Sequence, residues 1–295
     1  MDTQTSSPPP PLKIPFPPRG MLVPVDFSGP SMAGLEAARL LARKWNCQVD
    51  LLCVDQNPPL AMMAADARIG GEPALEKFHE ALLARLEESG RNLPRSGARV
   101  VEGDPAHEIG RGVMFSGADL IVMGTHGRKG LKRWILGSVT EAVVHSASVP
   151  VLTVRNRPAS GWPLRILAPV READYSDRAV LYAVEWARNL GCTLSFMHVV
   201  ESKESVQAVR LMERMTRLLA ESRFKPADWI WREGRPDEEI LKAADRGSFD
   251  LIAISAHVRP LWREMIIGST AERVLRFSSA PVLAVPSWQA PAASS

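Results

Sequence analysis

The chain has 295 residues, 45% of them hydrophobic and 23% charged, with 36 Lys and Arg against 33 Asp and Glu. Its length suggests two domains, its apolar fraction excludes wholesale disorder, and its net charge of +3 is too balanced for nucleic acid to be the main partner. No apolar run approaches the ~18 residues of a membrane span, and Cys47, Cys53 and Cys192 form no CxxC pair, so neither a disulfide framework nor a zinc ribbon is offered and a cytoplasmic location is expected.

Residues 1–19 read as a disordered Pro-rich arm, with seven of the 24 prolines in the first 18 positions. Apolar runs at Met21–Val25, Val49–Val54, Arg99–Glu102, Leu120–Met123 and Val149–Val154 then read as strands. Their near-continuous apolar character suits a parallel sheet covered on both faces. Between them, Met32–Trp45, Ala74–Ser89, Ala106–Phe115 and Ser138–Ser146 read as helices. Asp104-Pro105 supplies an N-cap followed by proline in the first helical turn. A loose stretch containing NRPASGWP follows Arg155, and the pattern then begins again.

The repetition is specific. EGDPAHEI (102–109) matches EGRPDEEI (233–240), DLIVMGTH (119–126) matches DLIAISAH (250–257), and GSVTEAVVHSASVPVLTV (137–154) matches GSTAERVLRFSSAPVLAV (268–285), each 131 positions apart. MLVPVDFS (21–28) resembles the segment from Ile166, 145 positions on. A duplicated domain is the economical account. The expected organisation is a first domain over 20–156, a linker over 157–163, a second domain over 164–287 and a tail over 288–295. Alternating strands and helices give an α/β class: two doubly wound, Rossmann-like parallel sheets of five strands in order 3-2-1-4-5, helices on both faces. Such sheets bind ligands beyond the C-terminal strand ends, at the topological switch point.

One segment there stands out. The strand ending at Met123 runs into GTHGRKGLKRWILGS, with glycines at 124, 127, 130 and 137 and Ser138 opening a helix. Glycine admits close backbone approach, and a helix start favours phosphate. The same composition also suits a plain turn before a helix. The spacing fits neither GxxxxGK[ST] nor GxGxxG, and GxSxG is absent. Arg128, Lys129, Lys132 and Arg133 read either as attraction for a triphosphate or as a solvated basic loop.

These residues carry a resemblance. Gly124, Gly127, Gly137 and Ser138 form the G-2x-G-9x-G-S spacing, LVPVDFSGPS (22–31) opens the first strand, and EGDPAHEI and SVPVLTV supply further blocks. Together they resemble the universal stress protein family in its tandem form, over residues 20–287. The resemblance implies ATP, with Mg2+ or Mn2+ as companion. Pro24, Val25 and Asp26 would border adenine and ribose, and Val54 would offer backbone groups to the base. Met123, Gly124, His126, Gly127, Gly137, Ser138, Val139 and Thr140 would wrap ribose and phosphates. It also implies pairing of the two domains through their last strands, with association of two chains as a further expectation. No catalytic residue, resident metal site, membrane or nucleic acid is implied.

The second copy departs from this pattern. Ser255 and Val258 replace Gly124 and Gly127, Arg171 follows Pro169-Val170, and Asp174 reads as arriving after an insertion. That copy is expected to keep a degenerate form of the loop and to serve mainly as a pseudo-dimeric partner. His198, His257 and Asp174 are either a metal set or unrelated strand-end residues. Three functions compete: a regulatory nucleotide-binding stress protein; a slow ATP hydrolase or nucleotidyl-transfer enzyme using Asp26 with a metal on Ser138; and an interaction module without a ligand.

Overall fold

The computed structural model describes residues 14, 16–56, 72–125, 136–172, 177–200, 205–245, 249–256, 258–261 and 264–287. The first half runs β1 (Gly20–Pro24), α1 (Gly29–Trp45), β2 (Gln48–Asp55), α2 (Glu72–Gly90), β3 (Ser96–Glu102), α3 (Pro105–Ser116), β4 (Leu120–Gly124), α4 (Ser138–Ser146) and β5 (Val151–Val154). The second runs β6 (Arg165–Pro169), α5 (Asp177–Leu190), β7 (Thr193–Val200), α6 (Ser205–Ser222), β8 (Asp228–Glu233) and α7 (Pro236–Asp245). It continues through β9 (Leu251–Ala256), β10 (Val258–Leu261), β11 (Glu264–Ile267), α8 (Ser269–Phe277) and β12 (Val282–Pro286).

Each half is a parallel α/β sheet in the order 3-2-1-4-5, and the halves join edge to edge into one ten-stranded sheet, β3-β2-β1-β4-β5-β12-β9-β6-β7-β8. The joint is antiparallel, with Leu152 of β5 opposite Leu283 of β12. These leucines are each other's counterparts in the repeat, so a pseudo-twofold axis passes between them. Pairing hides two strand edges that would otherwise stand open. The inner strands are apolar because both faces are covered: β4 and β12 are buried along their whole length.

One core lies on each face, and each spans both halves. The first packs β1, β2, β6 and β7 against α1, α2, α5 and α6, around Leu41, Leu86, Trp186 and Phe196. Trp45 of α1 meets Trp186 of α5 edge-to-face at 5.0 Å across the two halves. The second core packs Ile121, Val151, Ile252 and Val282 against α3, α4, α7 and α8. Local signals set the helix starts as anticipated at α3: Asp104 caps it by accepting from His107 N, with proline in the first turn. Gly103 and its counterpart Gly234 hold φ of +142° and +136° between strand and helix, a conformation that favours glycine.

Two readings of the second half need correction. The register Gly20↔Gln48 in the first half recurs as Arg165↔Thr193 in the second, 145 positions on for both strands. Cys47 and Cys192 keep the same spacing. No residue is inserted after β6, and Arg171 itself stands at the place of Asp26. The segment after β9 is a hairpin, β10 paired antiparallel with β11, where a loop was expected. Among the described residues, no helix is long and apolar enough to cross a membrane.

Candidate functional site

The chain reverses its course across the sheet between β1 and β4, which are adjacent in the first half. Their C-terminal ends, with that of β2, form the crevice where open α/β sheets take ligands. Val25 leaves β1 by donating its N–H to Leu52 O of β2 at 2.8 Å. Asp26 Oδ1 then accepts from Ser28 N at 2.9 Å, and Phe27 takes a left-handed φ of 62°. Ser28 caps α1, its Oγ accepting from Ser31 N at 3.3 Å. Asp26 therefore shapes the strand-to-helix turn at the crevice mouth. Arg85 of α2 lies 4.1 Å from the Phe27 ring centroid and braces that turn.

Gly124 closes β4 with a packing role that the sequence does not reveal. A Cβ there would lie 2.4 Å from Pro30 C and 2.5 Å from Pro30 O. Backbone cannot yield as a side chain can, so α1 and β4 meet only because residue 124 is glycine. Gly34 serves the same crossing, its would-be Cβ 3.1 Å from Gly124 N. Their counterparts in the second half are Ala179 and Ser255.

Beyond Gly124 the loop is tied at its base. Thr125 N donates to Val154 O at 3.1 Å, and Gly137 N donates to Thr125 O at 2.7 Å. Buried Thr140 donates its hydroxyl to Gly124 O at 2.9 Å. These bonds fix the start of α4 beside the end of β4. Gly137 caps α4 without any side-chain hydrogen bond, so among the described residues no side chain caps the first turn at Ser138, Val139 and Thr140, and the helix dipole favours an anion there. Ser138 is exposed and Val139 half-buried.

The structure thus gathers Pro24, Val25, Asp26, Val54, Met123, Gly124 and Gly137 to Thr140 at the ends of β1, β2 and β4 and the start of α4. Met123 is buried at 4% exposure, and Pro24 and Val54 are half-buried. His126, Gly127 and the basic residues 128–133 lie outside the described residues. One group was not singled out from the sequence. Asp55 at the end of β2, Glu102 at the end of β3 and His79 on α2 meet, with His79 Nε2 3.2 Å from Asp55 Oδ2 and 3.8 Å from Glu102 Oε1. Its one sequence signal was the alternation of β2, which puts Asp55 on the face of Leu51 and Cys53.

The second half repeats the frame and changes the lining. Val170 N donates to Met197 O at 2.8 Å, the counterpart of the Val25 bond. Arg171 is exposed where Asp26 stands half-buried. Val258 enters β10 opposite Ile267, where a β-branched residue is at home. Gly268 caps α8 without a side-chain bond, as Gly137 does for α4. His198 is buried, donates Nδ1–H to Val170 O at 2.9 Å and packs edge-on against Trp231 at 5.3 Å. It is a core histidine. Asp174 and His257 lie outside the described residues. Among the described residues no group of three or more His, Cys, Asp or Glu is arranged to hold a metal ion; Asp55, His79 and Glu102 engage one another instead.

The universal stress protein family model matches residues 19–155 and again 164–286. The chain belongs to the universal stress protein family. Universal stress protein MJ0531 of Methanocaldococcus jannaschii is 32% identical over 144 residues, which cover 46% of this chain and 81% of that one. Universal stress protein YxiE of Bacillus subtilis is 31% identical over 147 residues, covering 46% and 97%. Each of these relatives therefore corresponds to about one half of this chain. A crystal structure of a universal stress protein from Archaeoglobus fulgidus superimposes with a TM-score of 0.71 at 24% identity, covering 92% of this chain and 99% of that one. That likeness concerns the fold across both halves.

Proposed function

We propose that the chain is a cytoplasmic stress-response protein that binds one ATP in the crevice of its first domain, residues 20–156, while its second domain, residues 164–287, serves mainly as structural partner. The observation that carries this reading is the tied loop. Gly137 N to Thr125 O and Thr140 Oγ1 to Gly124 O hold an uncapped helix start at the switch point, and an uncapped helix start attracts phosphate. Val54 and Pro24 offer half-buried walls for a base on the neighbouring strand ends. In the second domain a hairpin occupies the corresponding segment, and its backbone is engaged in its own ladder.

The exposed hydroxyl of Ser138 suits a divalent ion arriving with the triphosphate, Mg2+ or Mn2+, whose role would be to neutralise phosphate charge. Binding rather than turnover is the function proposed, because Asp26, the acidic candidate for a base, already shapes the turn through Ser28 N. Mass spectrometry of small molecules released from the purified chain, with calorimetric titration by ATP, tests the reading. Recovery of an adenine nucleotide and saturable binding are expected. ATP hydrolysis abolished by Asp26→Ala would move the assignment to an enzyme, and absence of any nucleotide binding would overturn it.

A further inference from the structure

Resting on that reading, we infer that Asp55 selects an amino-bearing base, such as adenine, in the first-half crevice, with His79 as its positioning residue. Asp55 follows Val54 at the lip of β2 and stands in register with Glu102 of β3. Its side chain is only 10% exposed. His79 donates Nε2–H to Oδ2 at 3.2 Å, while Oδ1 meets no hydrogen-bond donor among the described residues. Oδ1 is also absent from the fully enclosed unpartnered atoms, so it borders accessible space. A carboxylate so far removed from water calls for a further donor. When ionised it can only accept hydrogen bonds. It therefore suits an exocyclic amine and opposes the carbonyl that guanine and hypoxanthine carry at the equivalent ring position. Glu102, with Oε1 3.8 Å from His79 Nε2 and half its side chain exposed, adds negative charge at the rim and strengthens that preference.

The second half shows that the fold does not require this pair. Its β7 and β8 keep the same register, with Val200 opposite Glu233, and Val200 is the counterpart of Asp55. The helices α2 and α6 correspond through the Glu-Ser pairs 88–89 and 221–222, each serine donating its hydroxyl to the carbonyl four residues back, of Arg85 and Leu218. That alignment puts Met212 at the place of His79. There Met212 lines an open apolar cleft with Val209 and Trp231. A polar pair held in one half and replaced by apolar residues in the other belongs to a ligand rather than to the shared frame.

The test is titration of the full chain with ATP and with inosine triphosphate, which shares the ribose and phosphates but carries a carbonyl for the amine. The intact chain is expected to prefer ATP by roughly 10–100-fold, the size of one charge-assisted hydrogen bond. Asp55→Asn, whose amide can also donate, should bring the two affinities together. His79→Ala should weaken ATP binding, and His79→Gln, which keeps a donor, should recover most of it. Asp55→Val, copying Val200, is the second variant if the asparagine form does not fold. Equal affinities in the intact chain, or a preference unchanged by the Asp55 variants, would overturn this inference and leave nucleotide binding standing. Failure of the intact chain to bind either nucleotide would overturn both.

Discussion

The two halves follow one path and line it differently. β1 and β6 pair with their neighbours in the same register, Val25 and Val170 leave their strands through the same bond, and α4 and α8 begin on glycine without a side-chain cap. At the crevice they part. Asp26 corresponds to Arg171, Gly34 and Gly124 correspond to Ala179 and Ser255, and Asp55 corresponds to Val200. What persists is the strand register and the glycine at the helix starts. What differs lies at the strand ends that the proposed function assigns to the nucleotide.

The largest expected effect concerns what the halves share. Trp186 is 1% exposed and packs on Trp45 across the halves. Trp186→Ala should lower stability by about 3–5 kcal/mol, as cavity-forming aromatic truncations do. Denaturant unfolding should remain a single transition with a lower midpoint, because both cores span the joint. Two separated transitions in the parent chain would break the comparison by showing that the halves stand alone.

Exchanging residues between the halves tests the close crossing next. Gly124→Ser should destabilise by about 1–3 kcal/mol or more, since its Cβ would meet backbone. Ser255→Gly should cost at most about 1 kcal/mol, the entropic penalty of glycine in a strand. Thermal melts of the two variants should therefore differ clearly, and equal shifts would show that Gly124 is not set by Pro30.

Thr140→Val removes the buried bond to Gly124 O and should cost about 1–3 kcal/mol. Thr270→Val, which copies Val139 at the corresponding, half-exposed position, should stay near ±0.5 kcal/mol. Loss of ATP affinity should accompany only the first. The smallest effect is common to both halves. Burial pushes the thiols of Cys47 and Cys192, counterparts in the repeat, up from 9.0 to about 11. With the folded value raised, their contribution to stability is present below about pH 9 and is lost as pH rises towards 11. Melting temperature should be flat from pH 7 to 8.5 with respect to these groups and fall above pH 9, and Cys47→Ala with Cys192→Ala should flatten part of that fall.

The fold was legible in the sequence because the signals were local and doubled. Continuous apolar runs marked inner strands, Asp104-Pro105 marked the start of α3, and matching blocks 145 and then 131 positions apart repeated the pattern. The family resemblance named the residues at the ends of β1, β2 and β4, and packing brings the described ones among them together. What sequence could not give depends on contacts distant along the chain. Gly124 looked like a ligand glycine, and only the approach of Pro30 reveals its packing role. His79 was one residue of a helical pattern until the fold set it against Asp55. An apparent insertion after Pro169-Val170 came from matching Asp174 to Asp26 by residue type; the sheet register aligns Arg171 there instead. The hairpin β10–β11 escaped because the glycine loop of the first half set the expectation for the second.

The central claim is that one crevice, not two, binds the nucleotide. Calorimetric titration of the full chain with ATP tests it most directly. A stoichiometry of one ATP per chain is predicted, abolished by Gly124→Ser and retained by Ser255→Gly. Two equivalent sites per chain, or a single site that survives Gly124→Ser and disappears on substitutions around Arg171, would contradict it.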